Sequence, residues 1–142
     1  SPYGTPQRSS IGYDPHRLGM LLAVLEKRLE LRLNNRDIFV NVTGGIRIYD
    51  PAIDSAVVAA ILSSYNDKTL PHLMAFSAEI GLNGELRSVS QLQKRIQETS
   101  KLGFKYLITA PIKENSIKED DNYHIKLNFI ANVSELANIL FV

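Results

Sequence analysis

Asp50-Pro51-Ala52-Ile53-Asp54 and the run from Ser55 to Asn66 constrain this chain more than any other stretch. Asp50 is suited to cap a helix, because its carboxylate accepts from first-turn N–H groups that have no helical partner. Pro51 then falls at the first helical position, where its missing N–H costs nothing. Ile53, Ala56, Val57, Ala60 and Ile61 recur along one helical face, with Val58, Ala59 and Leu62 opposite. No charge appears between Asp54 and Asp67. A helix apolar all round is buried on more than one side, so this one is expected at the centre of the domain.

The flanking segments supply the rest of a single core. Asp14-Pro15 repeats the cap-then-proline signal and opens a helix expected to reach about Leu31, with Leu18, Leu21, Leu22, Leu25 and Leu29 facing inward. Asn34-Asn35 breaks it. Strands are expected over 37–43, continuing through Ile46-Arg47-Ile48, and over 73–80, 85–89, 104–109 and 124–130. Gly81-Leu82-Asn83-Gly84 has the chemistry of a hairpin turn. Ser90 and Gln93 match a capping box, and Gly103 is placed to end the helix that follows. Residues 111–122 read as a charged loop, and Val133–Leu140 as a closing helix. Hairpin signals mixed with helices predict an α+β layout and not a doubly wound parallel sheet.

Composition narrows the functional classes. At 142 residues and 44% hydrophobic, the chain supports one core and not two. A net charge of +1 gives no global signal for nucleic acid or membrane. There is no cysteine, which excludes disulfides, thiol catalysis and zinc–thiolate sites. His16, His72 and His124 lack metal-ligand spacing, so no metal site is expected. No apolar run reaches the ~20 residues of a membrane span, and a soluble cytoplasmic protein is expected. Gly44-Gly45 lacks the Lys-Ser/Thr of a phosphate loop. Residues 1–13, rich in Pro, Gly and Ser, read as an extended connector, and residues 14–142 as the domain proper. Beginning in such a segment without Met suggests a domain of a longer chain.

Several pieces in this order carry a resemblance. Tyr13-Asp-Pro-His-Arg-Leu18, Val42-Thr-Gly-Gly-Ile-Arg47, Asp50-Pro-Ala-Ile-Asp54, Glu79-Ile-Gly-Leu-Asn-Gly-Glu85 and Lys101-Leu-Gly-Phe104 resemble the C-terminal domain of the bacterial RadA (Sms) family of DNA repair proteins. Tyr3-Gly-Thr-Pro-Gln-Arg8 resembles the connector leaving that family's RecA-like ATPase domain. The C-terminal domain is in turn similar to the proteolytic domain of Lon. The resemblance implies a Lon-like fold of the ribosomal-protein-S5 domain-2 type. It also implies that ATP, Mg²⁺ and a zinc finger belong to domains outside this chain, which itself needs no cofactor.

Lon-type proteolysis uses a serine activated by a lysine. By register with the family pattern, those positions are Ala52 and Gln93, a methyl group and an amide, so no peptidase activity is expected. A shifted dyad of Ser55 and Lys94 is the alternative, although Lys94 points about 100° around the helix from Gln93. The resemblance implies a non-catalytic domain of an ATP-driven helicase that migrates branches in DNA repair and recombination. The domain would act there as a ring scaffold, a hexamer, and as a platform for single-stranded or branched DNA. Arg8, Arg17, Arg47, Arg87, Lys94 and Arg95 are the candidate DNA contacts, since phosphate binding needs only clustered cations. For each arginine the competing role is a surface charge or a subunit-interface ion pair with Asp50, Asp54 or Glu85. No aromatic interleaving suggests base stacking. A pure oligomerisation or protein-interaction domain, recruiting a recombinase for example, is the other reading.

Overall fold

Twelve short elements follow one another in the computed structural model, which describes residues 4–113, 117 and 123–141. Strand β1 (Arg8–Ile11) leads to helix α1 (Pro15–Leu29) and strand β2 (Ile38–Asn41). A 3-10 turn (Pro51–Ile53) runs into helix α2 (Asp54–Asn66). Then come β3 (Met74–Ser77), β4 (Glu79–Ile80), β5 (Leu86–Arg87), α3 (Leu92–Lys101), β6 (Tyr106–Thr109), β7 (Lys126–Phe129) and α4 (Val133–Phe141). The chain is an α/β domain. β3, β6 and β7 form a parallel sheet in that order, β1 pairs with β2 in parallel, and the short β4–β5 hairpin is antiparallel. The hairpin that suggested an α+β layout is therefore the smallest part of the strand pairing.

Both cap-then-proline signals hold. Asp14 accepts from His16 N at 2.8 Å and Asp50 from Ala52 N at 3.0 Å, each with proline at the first position. Leu18, Leu21 and Leu25 of α1 are 0–1% exposed, so truncating any one to alanine costs about 2–5 kcal/mol. Helix α2 packs against β3, β4 and α4. Its deepest face is Asp54, Ser55, Val58, Ala59 and Leu62, whereas Ala60 of the predicted stripe is exposed. With so little contrast between faces, spacing alone could not orient this helix.

Several boundaries differ from expectation. Arg8–Ile11, inside the stretch read as a connector, is a strand in register with β2 from Arg8↔Ile38 to Ile11↔Asn41. Residues 46–48 form no strand; Ile48 N donates to Gly12 O at 2.9 Å instead. The expected strand 73–80 is split at Ala78, whose N–H turns to Ala52 O at 3.0 Å and whose carbonyl accepts from Ser55 N. The return strand is only Leu86–Arg87, and Glu85 bridges to Asn132. Ser90 is not a cap: α3 begins at Leu92 behind Gln91, whose φ of 57° is left-handed and whose side chain makes no cap bond. Residues 114–116 and 118–122 of the stretch read as a loop lie outside the described residues.

Candidate nucleic-acid interface

The start of α2 gathers most of the residues singled out in the sequence. Asp54, fully buried, accepts from Tyr13 Oη at 2.6 Å, Arg17 Nε at 3.1 Å and Ile80 N at 3.1 Å, and also pairs with the second Arg17 nitrogen. This cluster ties α1, α2 and β4 together. Burial, and then the bond to Asp54, pushes the Tyr13 hydroxyl well above its ordinary value. The bond to Asp54 raises Arg17 likewise. Arg17 is thereby committed to structure.

One turn earlier Asp50 does two jobs. It caps the 3-10 turn and accepts from Arg95 at 2.8 Å, while Arg95 Nε donates to Ser90 O at 2.8 Å. The Ala52 N–H first, and Arg95 second, hold the Asp50 carboxyl below its usual range. Arg87 pairs with Glu85 at 3.2 Å on the hairpin. Arg8 donates to Leu33 O, tying β1 to the segment after α1. The three carboxylates named in the competing role, Asp50, Asp54 and Glu85, thus hold arginines of the same chain.

Arg47 and Lys94 are exposed, and no ion pair to either is found among the described residues. Arg47 and Arg17 line a cleft of about 170 Å³ beside Tyr13, Pro15, Tyr49 and Asp50. Lys94 follows on α3, next in sequence to the Arg95 that reaches Asp50. Arg17, Arg47 and Arg95 therefore converge on the start of α2, while Arg8 and Arg87 stand on β1 and β5. One residue was missed. Tyr49 is 80% exposed, and the Arg47 guanidinium lies 5.8 Å from its ring centroid. The pattern Arg47-Ile48-Tyr49 was the available signal, hidden by reading 46–48 as a strand.

At the positions matched to the peptidase dyad, Ala52 is 4% exposed and carries only a methyl group. Gln93 donates to Tyr123 Oη at 3.2 Å and lines a groove of about 730 Å³ with Ser88, Gln91 and Leu92. Ser55 Oγ is buried with no hydrogen-bond partner among the described residues, so Lys94 is not bonded to it. No group of acidic or histidine side chains fit for a metal ion occurs among the described residues, and none of their helices is long and apolar enough to cross a membrane.

No family model matches the chain. Curated proteins do. The DNA repair protein RadA of Helicobacter pylori strain 26695 is 43% identical over 118 residues, 82% of this chain and 26% of that protein. The chain is similar to DNA repair protein RadA. The RadA of Halalkalibacterium halodurans is 47% identical over 107 residues, 75% of this chain and 23% of its own length. That of Chlamydia pneumoniae is 34% identical over 140 residues, 99% and 31%. The chain thus spans about a quarter to a third of the length of these relatives, and the RadA likeness runs through nearly all of it.

Proposed function

We propose that this chain is a non-catalytic, Lon-like domain of a RadA-type, ATP-dependent DNA helicase working in DNA repair and recombination in the cytoplasm. In this reading it holds subunits in a ring, a hexamer, and offers a basic surface to single-stranded or branched DNA. The similarity to proteins named DNA repair protein RadA over nearly the whole chain carries the reading. Geometry supports its non-catalytic side: Ala52 offers no nucleophile, and the buried Ser55 hydroxyl has no hydrogen-bond partner among the described residues. Of the six candidate cations, Arg47 and Lys94 are the phosphate contacts without an ion pair among the described residues, Arg17, Arg87 and Arg95 reach solvent in part from within ion pairs, and Arg8 is half-buried and bonded to Leu33 O.

The test is binding of a labelled single strand at low salt, run beside a casein cleavage assay. Expected are binding that is lost on joint replacement of Arg47 and Lys94 by alanine, and no cleavage. Each phosphate contact removed flattens the salt dependence by about 0.7 in log–log slope for a single strand. Cleavage abolished by Ser55→Ala would overturn the non-catalytic part. A chain that assembles but binds no DNA would favour a pure interaction domain.

A further inference from the structure

We propose that residues 43–50 form a finger for unpaired DNA, in which Tyr49 stacks on a nucleobase while Arg47 holds the neighbouring phosphate. The proposal rests on the DNA-platform reading and adds to it the side chains that would select unpaired bases.

The physical case begins with exposure. Ile46 is 57% exposed and Tyr49 80%, so this loop keeps large apolar surfaces in water that the core does not use. Such surface becomes favourable only when something covers it. The loop is held at its base. Ile48 N is bonded to Gly12 O at 2.9 Å, and Asp50 is fixed by Ala52 N and Arg95. Gly44 and Gly45 turn the chain at φ of 90° and 69°. Ahead of the glycines Val42 N is bonded to Ile11 O at 2.9 Å, so the loop is anchored at both ends, which limits the entropy lost on binding.

Chemistry selects the ligand. A cation beside an accessible aromatic face is the pairing that single strands require: the guanidinium takes a phosphate and the ring takes a base. In a duplex the base faces are already stacked on one another, so Tyr49 gains a partner only from an unpaired strand. Asp14 and Asp50 flank the cleft, but neither repels a strand uncompensated. Asp14 caps the start of α1, where the helix dipole offsets its charge, and Asp50 is paired with Arg95.

The test is fluorescence anisotropy of the full 142-residue chain with a labelled single strand, the same strand carrying abasic sites, and a duplex. Expected for the parent chain is tighter binding to the base-bearing strand than to either of the others. Tyr49→Ala is expected to weaken that binding about tenfold, while Tyr49→Phe, which keeps the ring, retains it. Arg47→Ala is expected to weaken base-bearing and abasic strands alike and to lessen the salt dependence. Tyr49→Ala binding within about twofold of the parent, or abasic and ordinary strands binding equally, would overturn the stacking role. A parent chain that binds neither strand nor duplex would overturn the underlying DNA reading as well, so the two failures are distinct. Tyr49 is exposed, so its variants should melt as the parent does.

Discussion

The Asp54 carboxylate has no contact with water, and what stabilises its charge is the hydroxyl of Tyr13, the fork of Arg17 and the N–H of Ile80. Removing a buried, paired charge leaves its partners stranded, so Asp54→Ala is expected to lower unfolding free energy by about 3–5 kcal/mol in urea titrations. Tyr13→Phe removes one bond and is expected to lose about 1–2 kcal/mol. It also carries a pH signature. The folded Tyr13 value lies above the unfolded one, so the unfolded chain ionises first. The stability from this group is complete below the ordinary tyrosine value of about 10 and declines as pH rises beyond it. The decline should be shallower in Tyr13→Phe; identical alkaline curves for the two proteins would contradict it. Asp50 works with the opposite sign. Its lowered folded value gives stability that is present above the ordinary carboxylate range and lost as pH falls through the folded value. Asp50→Asn should therefore flatten the acid limb more than Arg95→Gln, because the Ala52 N–H is the larger cause.

At the scale of elements, the start of α2 makes two distinct demands. Ser55 Oγ sits there buried and unbonded, so Ser55→Ala should leave stability unchanged or raise it by about 1 kcal/mol, measured as a urea midpoint. Gly12 lies at φ 83°, and a Cβ there would come within 2.5 Å of Ile46 O and 2.8 Å of Val42 Cβ. Gly12→Ala is expected to cost about 1–3 kcal/mol and to displace the loop bearing Arg47 and Tyr49, weakening DNA binding without touching either side chain. These elements also mark how far the sequence could be read. Asp14-Pro15, Asp50-Pro51, the Asn83-Gly84 turn and Gly103 are local signals written in adjacent residues, and the structure has all four where expected. Strand β1 was missed because Arg-Ser-Ser-Ile has no strand pattern of its own and owes its form to β2, thirty residues on. The cap at Ser90 failed because Gln91 adopts a left-handed conformation that displaces the helix start. Arg17 was read as a DNA contact because its partner, Asp54, is 37 residues away and no spacing rule joins them.

Across the whole molecule, non-local strand pairing closes the domain. Residues 8–11 lie against 38–41, and β3 lies beside β6 and then β7, so a core of α1, α2 and α4 is closed by strands far apart in sequence. The helices and their inward leucines were legible from periodicity, whereas the dominance of parallel pairing was not, since strand direction depends on connections that spacing does not encode. What this arrangement leaves at the surface is a cationic and aromatic edge around the start of α2. The direct measurement is the solution mass of the purified chain by light scattering, alone and with a single-stranded oligonucleotide at low salt. A mass that rises with the strand, to several chains per assembly, is expected. A monomer whose mass the oligonucleotide leaves unchanged would contradict both the platform and the scaffold.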